Sequence, residues 1–429
     1  MKKYIILSIA IMVAASSCLR LDFYPHNALS RYDVGEDEMP LFYNGLYNAS
    51  QKGLSLDGYY SFDILGGDLE RAGGSGGFTP AAQVKALVIP NGSFINGIWQ
   101  SLYFWLYQIN SFIASAEGLP DGDDKNLYLG TGHFFRGLAY YNLTTRWRSV
   151  PILRVPTNDP VASSSEAACW AFVEEELGMA EEMLSAYGGD NNYASKEAVQ
   201  ALLARTFLAQ GKMTEAERYA ESVITSGHFQ LDTYENIWTK DQSSEVIFAY
   251  ANLSSEERGQ VMSAWFRGAP QYVPTSAFEN LVHSNDERYT WLHYEDGQYI
   301  TLNKYDTYGG YDPIIVARLS EMYLISAEAK GKDDGLARLN ELRAQRGLPA
   351  LDEFASESAF IDAIIAERRL ELAEEGFRWF DLVRTGRYES ALNLSQKYTV
   401  FPIPEEQIDR SRGVLKQNPL WEGTTNTEE

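Results

Sequence analysis

With 429 residues the chain can hold two or three domains or one large scaffold, and 45% hydrophobic with 13% aromatic residues excludes a disordered polymer. A formal charge of −23 repels nucleic-acid phosphates and acidic lipid surfaces, so nucleic acid is excluded as a partner. The same acidity says nothing against a neutral ligand such as a sugar.

The chain opens with Met1-Lys2-Lys3 and an apolar run from Tyr4 to Val13, a charged region followed by a short hydrophobic one. This is the pattern of a secretory signal over residues 1–17, too short to span a bilayer permanently. It closes on Ala15-Ser16-Ser17-Cys18, small residues before a cysteine, as in the cleavage site of bacterial lipoproteins. Ala15 stands where that site usually has Leu. Cys18 is therefore expected to carry lipid, leaving Cys169 as a lone buried thiol with no disulfide partner. No later segment has the length of a membrane span.

Residues 36–50 read as a helix with Leu41, Phe42, Leu46 and Tyr47 on one face. Residues 53–92, with Gly66-Gly67, Gly73-Gly74 and Gly76-Gly77, read as a long loop, a length that implies a function. No Lys-Ser/Thr follows those glycines, so a phosphate loop is rejected. Residues 94–119 form an aromatic helix with apolar residues on nearly every face, and Trp99, Trp105, Trp147 and Trp379 are assigned to the core. Asp121 to Asn126 lacks the glycine and closing glutamate of a calcium loop and reads as a turn. Helices are expected over 131–148 and 164–187.

Ser195 to Ser226 is a helical hairpin of tetratricopeptide length, lacking that repeat's early Trp. Gly211 ends the first helix, Thr214 caps the second, and Ala201, Ala204, Ala216 and Ala220 allow close approach. One hairpin cannot bury its own apolar face, so others must stack on it. Residues 245–251 read as a strand and 256–311 as a second irregular, aromatic insert in which 299–305 alternates like a strand. Asp312 is expected to cap a helix running to Gly331, Asp333 to Arg346 to be its partner, and 356–375 to be the last long helix. About four such pairs give a mostly all-α scaffold with long irregular loops and a few short strands.

The sequence Glu367-Arg-Arg-Leu-Glu371 through Gly376-Phe-Arg378-Trp379-Phe380-Asp381 to Arg384, followed by Phe401-Pro-Ile-Pro404 and Gln417-Asn-Pro419, resembles the close of the SusD/RagB family of bacterial outer-membrane lipoproteins. The stretches 134–151, 195–229 and 314–330 are similar to that family in the same order, so the likeness covers the mature chain, 18–429, as a single domain. It implies a tetratricopeptide-like scaffold whose inserts hold a ligand, anchored in the outer membrane and facing the cell exterior. It implies no enzyme activity and no cofactor. The implied role is capture of an oligosaccharide and delivery to a SusC-like TonB-dependent transporter; the alternative is the same scaffold binding peptides or serving as a protein-interaction module.

The residues support two further readings. Arg318, Glu321 and Glu328 share a helix face by spacing, as do Glu367, Arg368 and Glu371. They form an ion-pair cluster between the last helices, in preference to a glycosidase acid–base pair. His26, His133, His228, His283 and His293 have no metal spacing. Aromatic rings stack on pyranose faces, so Trp265, Phe266, Tyr272, Trp291 and Tyr294 are candidate ligand-binding residues, with Asp68, Arg71 and Arg267 taking hydroxyls.

Overall fold

The computed structural model describes residues 34–53, 61–73, 79–240, 242–251, 266, 270–305 and 312–423. The signal segment 1–17, Cys18, Trp265 and Arg267 lie outside them.

The long helices Met39–Gly53, Ser93–Glu117, Asp123–Trp147, Glu166–Met183, Lys196–Ala209 and Met213–Ile224 each pack on the next in sequence. The Met213–Ile224 helix then packs on Leu319–Gln345, which in turn packs on Glu357–Glu371. The result is a stack of antiparallel hairpins with a large apolar core that holds Trp99, Trp105, Trp147 and Trp379, a second cluster under the inserts and a third within the last helix pair. Ser195 Oγ accepts from Ala198 N at 3.2 Å, closing the N-terminus of its helix, and Gly211 takes φ +72° in the turn. Ala201, Ala204, Ala216 and Ala220 are fully buried where the two helices meet.

Several boundaries differ from the sequence reading. The second helix of that hairpin starts at Met213, with Lys212 rather than Thr214 at the cap position and no side-chain cap bond. The third long helix begins at Asp123, eight residues before the apolar periodicity, because Asp123 and Asp124 favour an N-terminal turn. Residues 53–92 are not simply a loop: they contain the helices Ser61–Gly66 and Pro80–Leu87 and the strand Leu69–Arg71.

The largest correction concerns residues 312–318. Ile314–Arg318 is a strand, paired antiparallel with Val246–Tyr250, and the helix begins only at Leu319. The β-branched run Ile314-Ile315-Val316 fits a buried pleated ladder better than a helix, and Val246 to Tyr250 supplies the partner. The expected Asp312-to-Arg346 hairpin survives inside one assigned helix with a break at Gly331, φ +74°. There Gly335 approaches so closely that a Cβ would overlap the carbonyl oxygen of Ala327.

Candidate functional site

The site rests on a charge lattice buried beneath the second insert. Arg318, at the end of its strand, contacts Glu371 at 2.5 Å, Glu375 at 2.8 Å and Glu245 at 3.1 Å. Arg346 reaches Glu371 and Glu245, each at 2.8 Å. From the insert, Arg288 contacts Glu367 at 2.7 Å and Glu371 at 3.0 Å, and Lys304 contacts Glu375 at 2.8 Å. Arg288 also holds Asp286 at 2.7 Å, and Arg343 holds Glu367 at 2.6 Å. Five cations (Arg288, Lys304, Arg318, Arg343, Arg346) thus face five carboxylates (Glu245, Asp286, Glu367, Glu371, Glu375), and Arg346 lies 4.0 Å from a sixth, Glu287.

Burial alone would raise the Glu371 carboxyl, but Arg346 and Arg318 outweigh it and hold it well below the usual carboxylate range. A general acid needs the opposite shift. The sequence grouping of Arg318 with Glu321 and Glu328 does not hold. Glu321 pairs instead with Arg205 at 2.6 Å and Glu328 with Arg384 at 2.5 Å, because Arg318 belongs to a strand rather than to their helix.

Above this lattice the two inserts meet. Leu69–Arg71 pairs antiparallel with Tyr272–Pro274, which sets Arg71 opposite Tyr272. Ala72 N donates to Gln271 O, and Thr275 N to Asp68 O, both at 2.8 Å. The hairpin Tyr294–Asp296/Tyr299–Thr301 lies beside this ribbon, and a Cβ at Gly73 would lie 3.6 Å from Tyr299 Oη. Strand pairing therefore sets Arg71 against Tyr272, although about 200 residues of sequence separate them, and Tyr294 lies in the adjoining hairpin, paired with Thr301. Arg71 is exposed; Tyr272 and Tyr294 are half-buried.

The remaining expected residues have other surroundings. Trp291 is half-buried against the second hydrophobic cluster, with its carbonyl accepting from Asn303 N at 2.9 Å. Phe266 is fully enclosed, stacked on Tyr305 with centroids 5.8 Å apart, and its carbonyl accepts from Thr301 Oγ1 at 2.6 Å. Asp68 is buried and accepts from Arg369 Nε at 2.8 Å. Both present no face to a ligand here. Among the described residues no cluster of His, Cys, Asp and Glu is arranged to hold a metal ion.

Sequence periodicity passed over an open groove of about 780 Å³ on another part of the scaffold. Phe104, 67% exposed, and Tyr107, 40% exposed, stand in it, although the 94–119 helix reads as apolar on nearly every face. The helix phase would have revealed them: Trp99, Leu102, Trp105, Leu106 and Ile109 share the buried face, whereas 97, 100, 104 and 107 fall on the opposite one.

Residues 270–421 match the model of the SusD family. The chain is 21% identical to SusD-like protein P2 of Formosa agariphila, in an alignment covering 98% of this chain and 100% of the relative. Among solved structures it resembles a laminarin-binding SusD-like protein, at TM-score 0.75 and 22% identity over 90% of this chain and 99% of the other. It likewise resembles surface glycan-binding protein A from Bacteroides thetaiotaomicron in complex with laminarihexaose, at TM-score 0.77 and 18% identity over 90% and 100%. The family model over its C-terminal third, the curated relative along its whole length and the shared fold all make this chain similar to the SusD/RagB family.

Proposed function

We propose that this chain is a lipid-anchored outer-membrane protein, facing the cell exterior, that captures an oligosaccharide and passes it to a SusC-like TonB-dependent transporter. Residues 1–17 would be removed as a signal and Cys18 lipidated, leaving a single domain over 18–429. One observation carries the reading: 90% of the chain shares the fold of a surface glycan-binding protein in complex with laminarihexaose. The platform of Arg71, Tyr272 and the 294–301 hairpin supplies the fitting chemistry, with aromatic faces beside a guanidinium that can donate to hydroxyls. Trp265 and Arg267, outside the described residues, are proposed as further ligand contacts on their sequence alone. The chain binds without catalysis, a reading supported by Glu367 and Glu371 of its closing motif being sealed against arginines.

Titration of the mature protein with a panel of neutral oligosaccharides, laminarihexaose included, tests this. Binding weakened about tenfold by Arg71→Ala or Tyr294→Ala, equal to about 1.4 kcal/mol, is the expected result. Retention of a peptide library with no saccharide bound would instead assign the same scaffold to peptide capture.

A further inference from the structure

The groove beside the Ser93–Glu117 helix shares no residue with the insert platform, and its walls are fixed by the fold. Tyr103 Oη donates to Pro151 O at 3.1 Å, and Asn110 Nδ2 donates to Leu153 O at 2.9 Å, so the 151–153 segment is strapped to the helix. On the other wall, Glu405 N donates to Pro90 O at 2.9 Å, and Gln407 Nε2 donates to Asn96 Oδ1 at 3.1 Å. A groove held in this way needs little reordering to accept a ligand.

Its floor and rim differ in chemistry. Phe104 and Tyr107 are three residues apart on one helix, so both side chains leave the same face of it, and Val155, 63% exposed, lines the same groove. Along one edge are Asn158 and Asp159, both exposed; along the other are Gln407 and Arg410. Arg410 is already paired with Glu406 at 2.5 Å, so the second edge offers amide and guanidinium hydrogen bonds with little net charge. An apolar floor between two hydrogen-bonding edges matches a molecule with flat C–H faces and a hydroxylated perimeter. The volume is within the usual range for small-ligand sites, about 300–1,000 Å³.

From this geometry we infer a second oligosaccharide site, in which Phe104 and Tyr107 stack successive sugar rings while Asn158, Asp159 and Gln407 take their hydroxyls. The inference rests on the glycan-binding reading above but not on the insert platform. Two sites on one rigid body would hold a long glycan at two points, so binding to a polymer exceeds binding to a short fragment without any new contact.

The test is calorimetric titration of the mature protein with laminarihexaose and, in parallel, with the same panel of neutral oligosaccharides. The expected stoichiometry is two, falling to one in a Phe104→Ala/Tyr107→Ala double variant, whereas Tyr294→Ala leaves two sites with one of them weakened about tenfold; melting of the groove variant is unchanged because the replaced rings are exposed. A stoichiometry in the groove variant equal to that of the unaltered protein overturns the inference. Binding abolished by the groove variant but untouched by Tyr294→Ala upholds the groove and rejects the platform. A groove that retains no saccharide from the panel while the platform binds one also overturns it, and leaves a protein partner as the occupant.

Discussion

Arg318 and Glu371 meet at 2.5 Å with both side chains sealed from water, one at the end of a strand and the other at the end of the last long helix. Two other guanidinium groups, those of Arg288 and Arg346, converge on the same carboxylate. Removing one member of such a buried set leaves charge without compensation, and costs more than the set gains over an apolar replacement.

Glu371→Gln is therefore expected to lower the unfolding free energy by about 3–5 kcal/mol, a large part of the roughly 5–15 kcal/mol that holds a typical protein folded. Chemical denaturation followed by circular dichroism measures it. The same change at Glu175, whose partner Arg154 is 54% exposed, is expected to cost under about 1 kcal/mol. Equal effects at the two positions would show that the buried lattice carries no special weight.

Two carboxyls next to the platform titrate in the opposite sense from Glu371. Burial, then the neighbouring Asp68, pushes Asp63 well above its ordinary range; burial, then Asp63 and Asp68, does the same to Glu374. Both Glu374 oxygens are buried without a hydrogen-bond partner. The folded protein holds these protons to a higher pH than the unfolded chain. Their contribution is thus fully present below about pH 4, the unfolded carboxyl range, and is lost as pH rises through the folded values. For Glu371 and Asp381, whose carboxyls are depressed, the contribution is present above the unfolded range and lost as pH falls through the folded values. Glu374→Gln should melt above the unaltered protein at about pH 8 and level with it near about pH 4. A shift of the same size at both pH values would refute this account.

Gly335 and Gly178 make a paired test of packing. A methyl at Gly335 would collide with Ala327 O, so Gly335→Ala is expected to destabilise by about 1–3 kcal/mol or more. Gly178 lies within the Glu166–Met183 helix, and a methyl added there would meet nothing within 4 Å, so Gly178→Ala should stabilise by about 0.4–1 kcal/mol. Thermal melts of the two variants moving in the same direction would contradict the close helix approach.

Cys169 is fully buried, and burial raises its thiol above the usual value. In a Cys18→Ser chain its reaction with an aromatic disulfide should be slow in buffer and fast in denaturant, tracking global unfolding. Rapid labelling of the folded protein would place the thiol in an accessible site.

The sequence by itself determined the helical scaffold, because 3.6-residue periodicity, Ser caps and small residues such as Ala204 and Ala220 are local signals that survive in any context. It also contained the ordered motifs that resemble the SusD/RagB family, and it grouped Glu367 and Glu371 as structural ion-pair members. Tertiary structure alone decided the rest. Ile314 to Arg318 became a strand only because Val246 to Tyr250 was present to pair with it. Arg71 met Tyr272 through a ladder between segments about 200 residues apart, and Phe266 and Asp68 turned inward although their neighbours lack helical periodicity. Phe104 and Tyr107 face water for the converse reason. A helix pattern tells how many faces are apolar, but which face stays open depends on where the other elements stop covering it.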